Sequence, residues 1–347
     1  MRLLIILIGL VFLSCQPNSK NVIEPITPDY ITDQVNYDSD DPAIWVNPQD
    51  PSQSIIYGTD KHEVDGGLYA FTLTGKRIDS IQAYPLDRPN NVDIAYQVPF
   101  NGVLIDVAVC TERGRGQLRV FKLPELTPLD SGGILVFEDD LTNNLVMGVA
   151  LYKRPQDSAL FAIISRKELN VTDDYLYQYV LQADSTGFKG SLSRKFGKFS
   201  GTKEIEAVAV DAELGYVYYS DEYYGIHKYY ADPEMGNEEL SVFGLGGFVD
   251  DREGISIYKK TDSTGYILVS NQGANSFMVF PREGTSDNPH RHELIMEIPV
   301  SAMSSDGSEV TSDSLGSEFP NGLFVAMSDN KTFEIFDWTK FEKVITQ

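Results

Sequence analysis

Cysteine is scarce in this sequence, because only Cys15 and Cys110 occur among its 347 residues. Cys15 ends an N-terminal apolar segment, so Cys110, which lies inside an apolar strand-like stretch, is left without a partner. The main body of the chain is therefore predicted to contain no internal disulfide. Its stability must come from burial of a core and from any metal that binds the folded state.

Basic residues are also few, with 28 Lys and Arg against 51 Asp and Glu and a formal net charge of −23. Such a surface repels nucleic acid and anionic membranes, so neither is an expected partner. The excess of carboxylates has two explanations, which are solubility and the binding of hard cations such as Ca2+. An anionic substrate would need the help of such cations.

Long hydrophobic runs are absent except for residues 3–13 in MRLLIILIGLVFLSC. This run is too short for a stable transmembrane helix, and Arg2 before it and a small residue before Cys15 are typical of a lipoprotein signal. An uncleaved anchor is less favoured, because polar residues follow at once. We expect a signal peptide at 1–15, a lipid anchor at Cys15 as the chain's one membrane contact, and a flexible tether at 16–30. The protein is then an exported cell-envelope lipoprotein, in the outer membrane or periplasm of a Gram-negative bacterium, or is otherwise secreted.

Helical periodicity is rare, and short runs rich in Tyr, Phe, Val, Ile and Thr alternate with Gly, Pro, Asn and Asp. A pattern of strand, polar cluster and strand occurs six times, with first strands beginning near residues 55, 106, 161, 217, 267 and 323. A spacing of 50 to 56 residues fits four short strands per unit. The pattern predicts an all-β fold, a six-bladed β-propeller over 31–347. A β-sandwich is the alternative, but it does not explain six similar hairpins.

Equivalent loops of all blades meet at one end of a propeller's central channel. The six polar clusters would then form one ring of mixed charge, although each alone could be an ordinary solvated turn. They are Asp60-Lys61-His62, Thr111-Glu112-Arg113, Arg166-Lys167-Glu168, Ser220-Asp221-Glu222, Asn271-Gln272 and Ser328-Asp329-Asn330.

Several motifs, in order along almost the whole chain, resemble those of the beta-propeller phytases, the alkaline, calcium-dependent phytase family. They are SDDPAIWVNP (39–48), GTDK (58–61), GGLYAF (66–71), RPNNVDIAY (88–96), EAVAVD (206–211), DREGISIY (251–258), SNQGANSF (270–277) and LGSEFPNGLFVA (315–326). The resemblance implies a monomeric enzyme that hydrolyses phosphomonoesters of inositol phosphates at a site filled with several Ca2+ ions. Ca2+ ions would reverse the charge of a carboxylate ring, bridge phosphate oxygens and lower the pKa of the attacking water.

The resemblance also implies roles for individual residues. Glu222, Lys61, Arg113, Lys167 and Glu168 would be catalytic, and Lys61, His62, Arg113, Lys167 and Gln272 would bind the substrate. The metal ligands would be Asp40, Asp41, Pro42, Val92, Glu168, Glu206, Glu222, Asp251, Glu253, Gln272 and Asp306. The carbonyls of Pro42 and Val92 would complete a more structural site beside Asp41. Singly, each of these residues could also be a surface residue or a local cap.

The sequence departs from the family at several positions near these residues, including Glu309 in place of the usual aspartate and Met327-Ser328-Asp329 in place of the family's QDG. His62 stands where members usually have a second lysine, and Met147 stands where they have a tyrosine. Imidazole is mostly neutral above its ordinary pKa of about 6.5, so one fixed phosphate charge is missing at His62.

Three functions remain open at the level of sequence. The first is a Ca2+-dependent phytase or a related phosphatase of different substrate preference. The second is a surface propeller that binds phosphorylated or Ca2+-bridged ligands without turnover. The third, a propeller lactonase or esterase, is less favoured, because no nucleophile elbow or histidine pair is present in the sequence.

Overall fold

The computed structural model of the protein describes residues 23–167 and 171–347. These residues form six antiparallel sheets, and the first strands of neighbouring sheets contact each other around a closed ring. The all-β, six-bladed β-propeller predicted from the repeated hairpins is thereby confirmed. The predicted signal peptide, Cys15 and Glu168 lie outside the described residues.

Each blade is a meander whose first strand lines the central channel. The described chain begins with β1 (Tyr30–Ile31), and blade 1 contains β2 (Ser39–Trp45), β3 (Ile55–Asp60), β4 (Gly66–Thr72) and β5 (Arg77–Leu86). Blade 2 contains β6 (Pro89–Phe100), β7 (Val103–Glu112), β8 (Gln117–Lys122), β9 (Thr127–Pro128) and β10 (Ile134–Leu135). Blade 3 contains β11 (Val146–Lys153), β12 (Leu160–Arg166), β13 (Leu176–Asp184) and β14 (Gly187–Phe196). Blade 4 contains β15 (Val208–Asp211), β16 (Tyr216–Asp221), β17 (Gly225–Tyr230) and β18 (Ser241–Phe243). Blade 5 contains β19 (Arg252–Lys259), β20 (Gly265–Asn271), β21 (Ser276–Pro281) and β22 (Met296–Pro299). Blade 6 contains β23 (Ser308–Thr311), β24 (Leu323–Ser328) and β25 (Thr332–Asp337). Short 3-10 turns occur at Pro51–Gln53, Arg113–Arg115, Pro233–Met235 and Gln272–Ala274.

The ring is closed by the N-terminal segment. Strand β1 pairs antiparallel with β25, so the fourth strand of blade 6 comes from the opposite end of the chain. Ile26 forms a bridge to Val300 and is only 8% exposed. Residues 26–30 were expected to be part of a flexible tether. Ile26 instead packs into the core between blades 5 and 6, and Tyr30 pairs with β25, so both residues belong to the folded propeller.

The hydrophobic core is divided into six clusters, one between each pair of adjacent blades. Between blades 6 and 1, for example, Ile56 and Tyr69 pack with Val325 and Phe333. This arrangement follows from the strand pattern, because alternate side chains of a strand point to opposite faces and each face meets a neighbouring blade. Cys110 is fully buried and unpaired in β7, as the sequence predicted.

A short C-terminal helix, α1 (Trp338–Ile345), was not predicted from the sequence. It begins at Asp337, whose side chain accepts a hydrogen bond from the backbone N–H of Thr339, an ordinary N-cap. Trp338 and Phe341 of the helix are buried against the core between blades 5 and 6. In the described part of the chain, no helix has the length and apolar character needed to cross a membrane.

Candidate active site

The turns between the second and third strands of the blades lie at one end of the channel. In each blade the first strand also begins at this end, because it is antiparallel to the second. Lys61 follows β3, Arg113 follows β7, Glu222 follows β16 and Gln272 follows β20. The fold therefore brings residues that are up to 211 positions apart in sequence (Lys61 and Gln272) to the same end of the molecule.

Three glutamates form the centre of this end. Glu206 precedes β15, Glu222 follows β16 and Glu253 lies in β19, and one carboxylate oxygen of each lies within 4.8 Å of those of the other two. Glu222 is 2% exposed and Glu253 is 6% exposed. We call Glu206, Glu222 and Glu253 the acid cluster.

Burial and mutual repulsion make the ionised form of these carboxyl groups unfavourable. Burial, followed by the charges of Asp40 and other acids, raises the pKa of Glu206 to about 8. Burial, followed by Glu204 and Glu206, raises the pKa of Glu222 to about 9. Burial and then Glu206 also raise the pKa of Glu253 well above its usual range. A cation among the three would reverse this balance.

Several buried side-chain oxygens at this end have no hydrogen-bond donor among the described residues, including the carboxylate oxygens Glu253 Oε2, Asp251 Oδ1 and Glu204 Oε2. An unpaired buried carboxylate oxygen is costly unless another positive group or a metal satisfies it. The donor set consists of oxygen atoms from buried carboxylates, which suits a hard cation such as Ca2+. The residues present therefore fit the metal that the sequence pattern implies.

Lys61 links two further acids of the predicted ligand set. Its Nζ lies 2.9 Å from Asp40 Oδ1 and 2.5 Å from Asp306 Oδ2. Burial alone would lower the pKa of Lys61, but Asp40 and Asp306 outweigh burial and raise it. Gln272 donates from Nε2 to Asp306 Oδ1 at 2.6 Å, which leaves its carbonyl oxygen to accept or to bind a cation.

Two other lysines are held by carboxylates in the same way. Lys167 Nζ lies 3.0 Å from Glu204 Oε1, and Lys203 Nζ lies 2.7 Å from Asp251 Oδ2. Lys203 and Glu204 were missed by the sequence reasoning. Their only signal was their position in KEIE, just before Glu206, where they looked like an ordinary charged loop.

Arg113 differs from these lysines, because its guanidinium contacts no carboxylate among the described residues. The side chain is 4% exposed, one NH2 group lies against the sulfur of Met147, and Nε has no partner among the described residues. A thioether is only a weak acceptor, so the donors of Arg113 remain available. Its positive charge also opposes the rise in the pKa of Glu206. Arg113 is thus a buried cation at the channel end that forms no ion pair with a carboxylate of the described residues.

Asp41 lies in the central channel, below the acid cluster. Its Oδ2 accepts a hydrogen bond from the backbone N–H of Val92 at 3.0 Å. Burial raises the pKa of Asp41 well above its usual range, although the Val92 hydrogen bond opposes that rise. Pro42 and Val92 line the same channel cavity of about 550 Å³. The three residues predicted for a separate, structural metal site are therefore neighbours.

His62 has a different environment from Lys61. Its ring stacks on Tyr37, with centroids 4.0 Å apart. Its backbone N–H donates to Asp60 Oδ1 at 3.4 Å, and its carbonyl accepts from Arg88 N–H. No hydrogen bond or ion pair joins its side chain to the acid cluster within the described ranges. The predicted catalytic and metal-binding residue Glu168 lies outside the described residues.

Comparison with known proteins shows similarity along most of the chain. The model of the family described as Phytase matches residues 3–342. The 3-phytase of Bacillus subtilis (strain 168) is 28% identical over 319 residues, which cover 86% of this chain and 79% of that protein. A chain in the crystal structure of the mitotic checkpoint complex aligns over 97% of this chain and 99% of its own length, with a TM-score of 0.50 and 10% identity, and is similar in fold alone. The Dos1 propeller aligns over 85% of this chain and 67% of its own, with a TM-score of 0.44 and 10% identity.

Proposed function

Because the chain belongs to the phytase family, we propose that it is a Ca2+-dependent phosphomonoesterase acting on phytate (inositol hexakisphosphate). The products are lower inositol phosphates and free phosphate. The observation that carries this proposal is the convergence of Glu206, Glu222 and Glu253 at the channel end, beside Arg113, which pairs with no carboxylate of the described residues.

The acid cluster accounts for the metal requirement. Glu206, Glu222 and Glu253 would hold Ca2+, with Asp40, Asp251, Asp306, Gln272 and Glu168 as the further ligands implied by the family resemblance. When bound, Ca2+ supplies positive charge that attracts phosphate and lowers the pKa of the water that attacks phosphorus. Without the ion, burial and the neighbouring Glu204 raise the pKa of Glu222 to about 9, so Ca2+ binding would displace its proton.

Basic residues around the acid cluster would bind the phosphate groups of the substrate. Arg113 Nε is buried and has no partner among the described residues, and a charge-assisted hydrogen bond in such a position is strong. Lys61 and Lys167 flank it on blades 1 and 3, and His62 lies at the rim. In an in-line displacement these cations would stabilise the charge that develops on the transferred phosphoryl group.

Asp41, with the carbonyls of Pro42 and Val92, would hold a further Ca2+ in the channel. This second ion site is supported by the cavity that Asp41, Pro42 and Val92 line together and by the burial of the Asp41 carboxyl group. Such an ion would stabilise the ring by joining blades 1 and 2, since Asp41 already accepts a hydrogen bond from the first strand of blade 2.

The proposed cellular setting rests on the sequence. A signal peptide at 1–15 and a lipid anchor at Cys15 would place a monomeric propeller at the cell envelope. The net charge of −23 argues against nucleic acid as a partner. Mass spectrometry of the mature N-terminus would detect a diacylglyceryl group on Cys15, and a mature chain that keeps residues 1–14 would contradict the anchor.

Phosphate release by the purified protein tests the activity directly. Steady release from inositol hexakisphosphate should be abolished by EDTA and restored by Ca2+. An absence of release at every Ca2+ concentration between pH 5 and pH 9 would refute the proposal.

Binding without turnover is the second candidate, and it is favoured by the environment of His62. The His62 ring stacks on Tyr37, and no hydrogen bond or ion pair joins its side chain to the acid cluster within the described residues. Calorimetry that shows Ca2+-dependent binding of inositol hexakisphosphate, with no product formed, would favour this candidate over the enzyme.

A further inference from the structure

Asn90 occupies a central position at the channel end, and no function has been given to it above. It is 1% exposed and lies in β6, the first strand of blade 2. Its Nδ2 donates to Asp40 Oδ2 at 2.8 Å and to Glu206 Oε1 at 3.2 Å. One amide group therefore joins carboxylates from blade 1 and blade 4 across the ring.

The carbonyl oxygen of the same amide is buried and accepts no hydrogen bond from the described residues. Leaving such an acceptor unsatisfied is unfavourable, because burial removes its hydrogen bonds to water and no described residue replaces them. The opposite orientation of the amide cannot relieve this cost, because it would place Oδ1 against two carboxylate oxygens. The two acids therefore fix which atom of Asn90 is free, and it is the oxygen.

Oδ1 and Nδ2 are bonded to the same carbon atom, so Oδ1 lies beside Asp40 and Glu206. Asparagine carbonyls are common ligands of Ca2+, which takes six to eight oxygen atoms. A neutral ligand also fills a coordination position without adding to the repulsion that already raises the pKa of Glu206.

We propose that Asn90 is a direct ligand of the metal site. Its Oδ1 binds Ca2+, and this contribution outweighs that of the hydrogen bonds from its Nδ2 to Asp40 and Glu206. The inference rests on the Ca2+ dependence proposed above, and it adds a residue on blade 2 to the acid cluster on blades 4 and 5.

Two substitutions distinguish a metal ligand at Asn90 from a residue that only holds Asp40 and Glu206 in place by hydrogen bonds. Asn90→Asp keeps an oxygen at the position of Oδ1 and removes the donor, whereas Asn90→Leu removes both groups at similar volume. A ligand role requires the Asp variant to bind Ca2+ at least as tightly as the wild type, and the Leu variant to bind more weakly by about tenfold or more. A role limited to these hydrogen bonds requires both variants to lose Ca2+ affinity, because both lose the hydrogen bonds to Asp40 and Glu206.

Gln117→Met is the matched control. Gln117 is another buried amide that donates to a carboxylate, Glu112 Oε2 at 2.6 Å, but it lies outside the acid cluster. Losing its hydrogen bonds should lower the melting temperature and leave Ca2+ affinity unchanged.

The measurement is isothermal titration of the purified protein with Ca2+ alone, with no substrate present. Thermal unfolding in EDTA shows whether each variant folds, and Asn90→Ser replaces the Leu variant if that variant does not. If Asn90→Asp unfolds in EDTA, the Ca2+ concentration at which it folds gives its affinity.

Tighter or equal binding by Asn90→Asp together with weaker binding by Asn90→Leu supports the inference. Wild-type affinity in Asn90→Leu, or an equal loss in both variants, overturns it. A wild-type protein that binds no Ca2+ would instead refute the function proposed above, so the two failures are distinguishable.

Discussion

Replacing Glu222 by glutamine should stabilise the protein without Ca2+ and destabilise it, relative to the wild type, with Ca2+. Burial, followed by Glu204, Glu206 and Asp251, raises the pKa of Glu222 from 4.5 to about 9. At pH 7 the unfolded chain has lost this proton and the folded chain retains it. Glutamine has no proton to retain, and it has nearly the same shape as the protonated acid.

The size of the effect follows from the pH interval. Each pH unit between the unfolded pKa and pH 7 contributes 1.36 kcal/mol, so the penalty on Glu222 is on the order of 3 kcal/mol. The other carboxyl groups of the acid cluster share this penalty, so the variant should be about 1–3 kcal/mol more stable than the wild type. With an unfolding entropy of about 2.1 cal/mol/K per residue, this raises the melting temperature by about 1–4 °C. With excess Ca2+ the wild type should be the more stable protein. An ion that binds only the folded state stabilises it by about 2.7 kcal/mol at 100 times its Kd, and the variant binds Ca2+ more weakly because it has lost one coordinating carboxylate.

The assay is thermal unfolding at pH 7 in excess EDTA and in excess Ca2+. Glu112→Gln is the control, because Glu112 is 1% exposed but is paired with Gln117 and Arg119. This control should be less stable than the wild type in both buffers. A Glu222→Gln variant that is less stable than the wild type in EDTA, or that gains as much from Ca2+, would refute the electrostatic reasoning.

Three further predictions concern the ring as a whole. Arg113→Lys should raise KM for phytate about tenfold or more and leave Ca2+ affinity unchanged. Arg115→Lys, at an exposed position, is the control and should change neither quantity. Equal KM values for Arg113→Lys and the wild type in steady-state kinetics would exclude Arg113 from phosphate binding. His62→Lys should give equal or higher phytate activity by adding a fixed charge beside Lys61, and a clear loss of activity would show that the stack on Tyr37 is required. Without Ca2+, stability should fall as pH rises from about 5 to about 9, because the raised pKa values of Glu206 and Glu222 keep protons on the folded chain that the unfolded chain has lost. Calorimetry in buffers of different ionisation enthalpy should accordingly show proton release when Ca2+ binds, and a binding enthalpy that does not depend on the buffer would contradict it.

The blades could be predicted because they are local patterns repeated along the chain. The second strands begin at Ile55, Val103, Leu160, Tyr216, Gly265 and Leu323, each within three residues of the positions expected from the hairpins. The family is confirmed by the matches over residues 3–342, so the motif order was informative as well. Strand β1 and helix α1 were not predicted, because each is short and depends on packing against blade 6 for its stability.

The candidate site was only partly accessible from sequence. The motifs selected Glu206, Glu222 and Glu253, and the fold brings their carboxylates together. The partners of the charged residues could not be predicted in the same way, because Lys167–Glu204 and Asn90–Glu206 are contacts between blades. A pairing of that kind is set by the closure of the ring, and no spacing in the sequence reports it.

The most direct test of the central claim is phosphate release from inositol hexakisphosphate, measured against free Ca2+ for the wild type and for Glu253→Gln. Glu253 is 6% exposed and lies in the acid cluster, and its Oε2 has no hydrogen-bond partner among the described residues. The substitution therefore removes a proposed ligand oxygen with little change in shape. The account predicts no release in EDTA, saturable release with Ca2+ for the wild type, and a shift of the variant's midpoint to at least tenfold higher Ca2+. Wild-type activity that persists in EDTA, or identical Ca2+ midpoints for the two proteins, would contradict it.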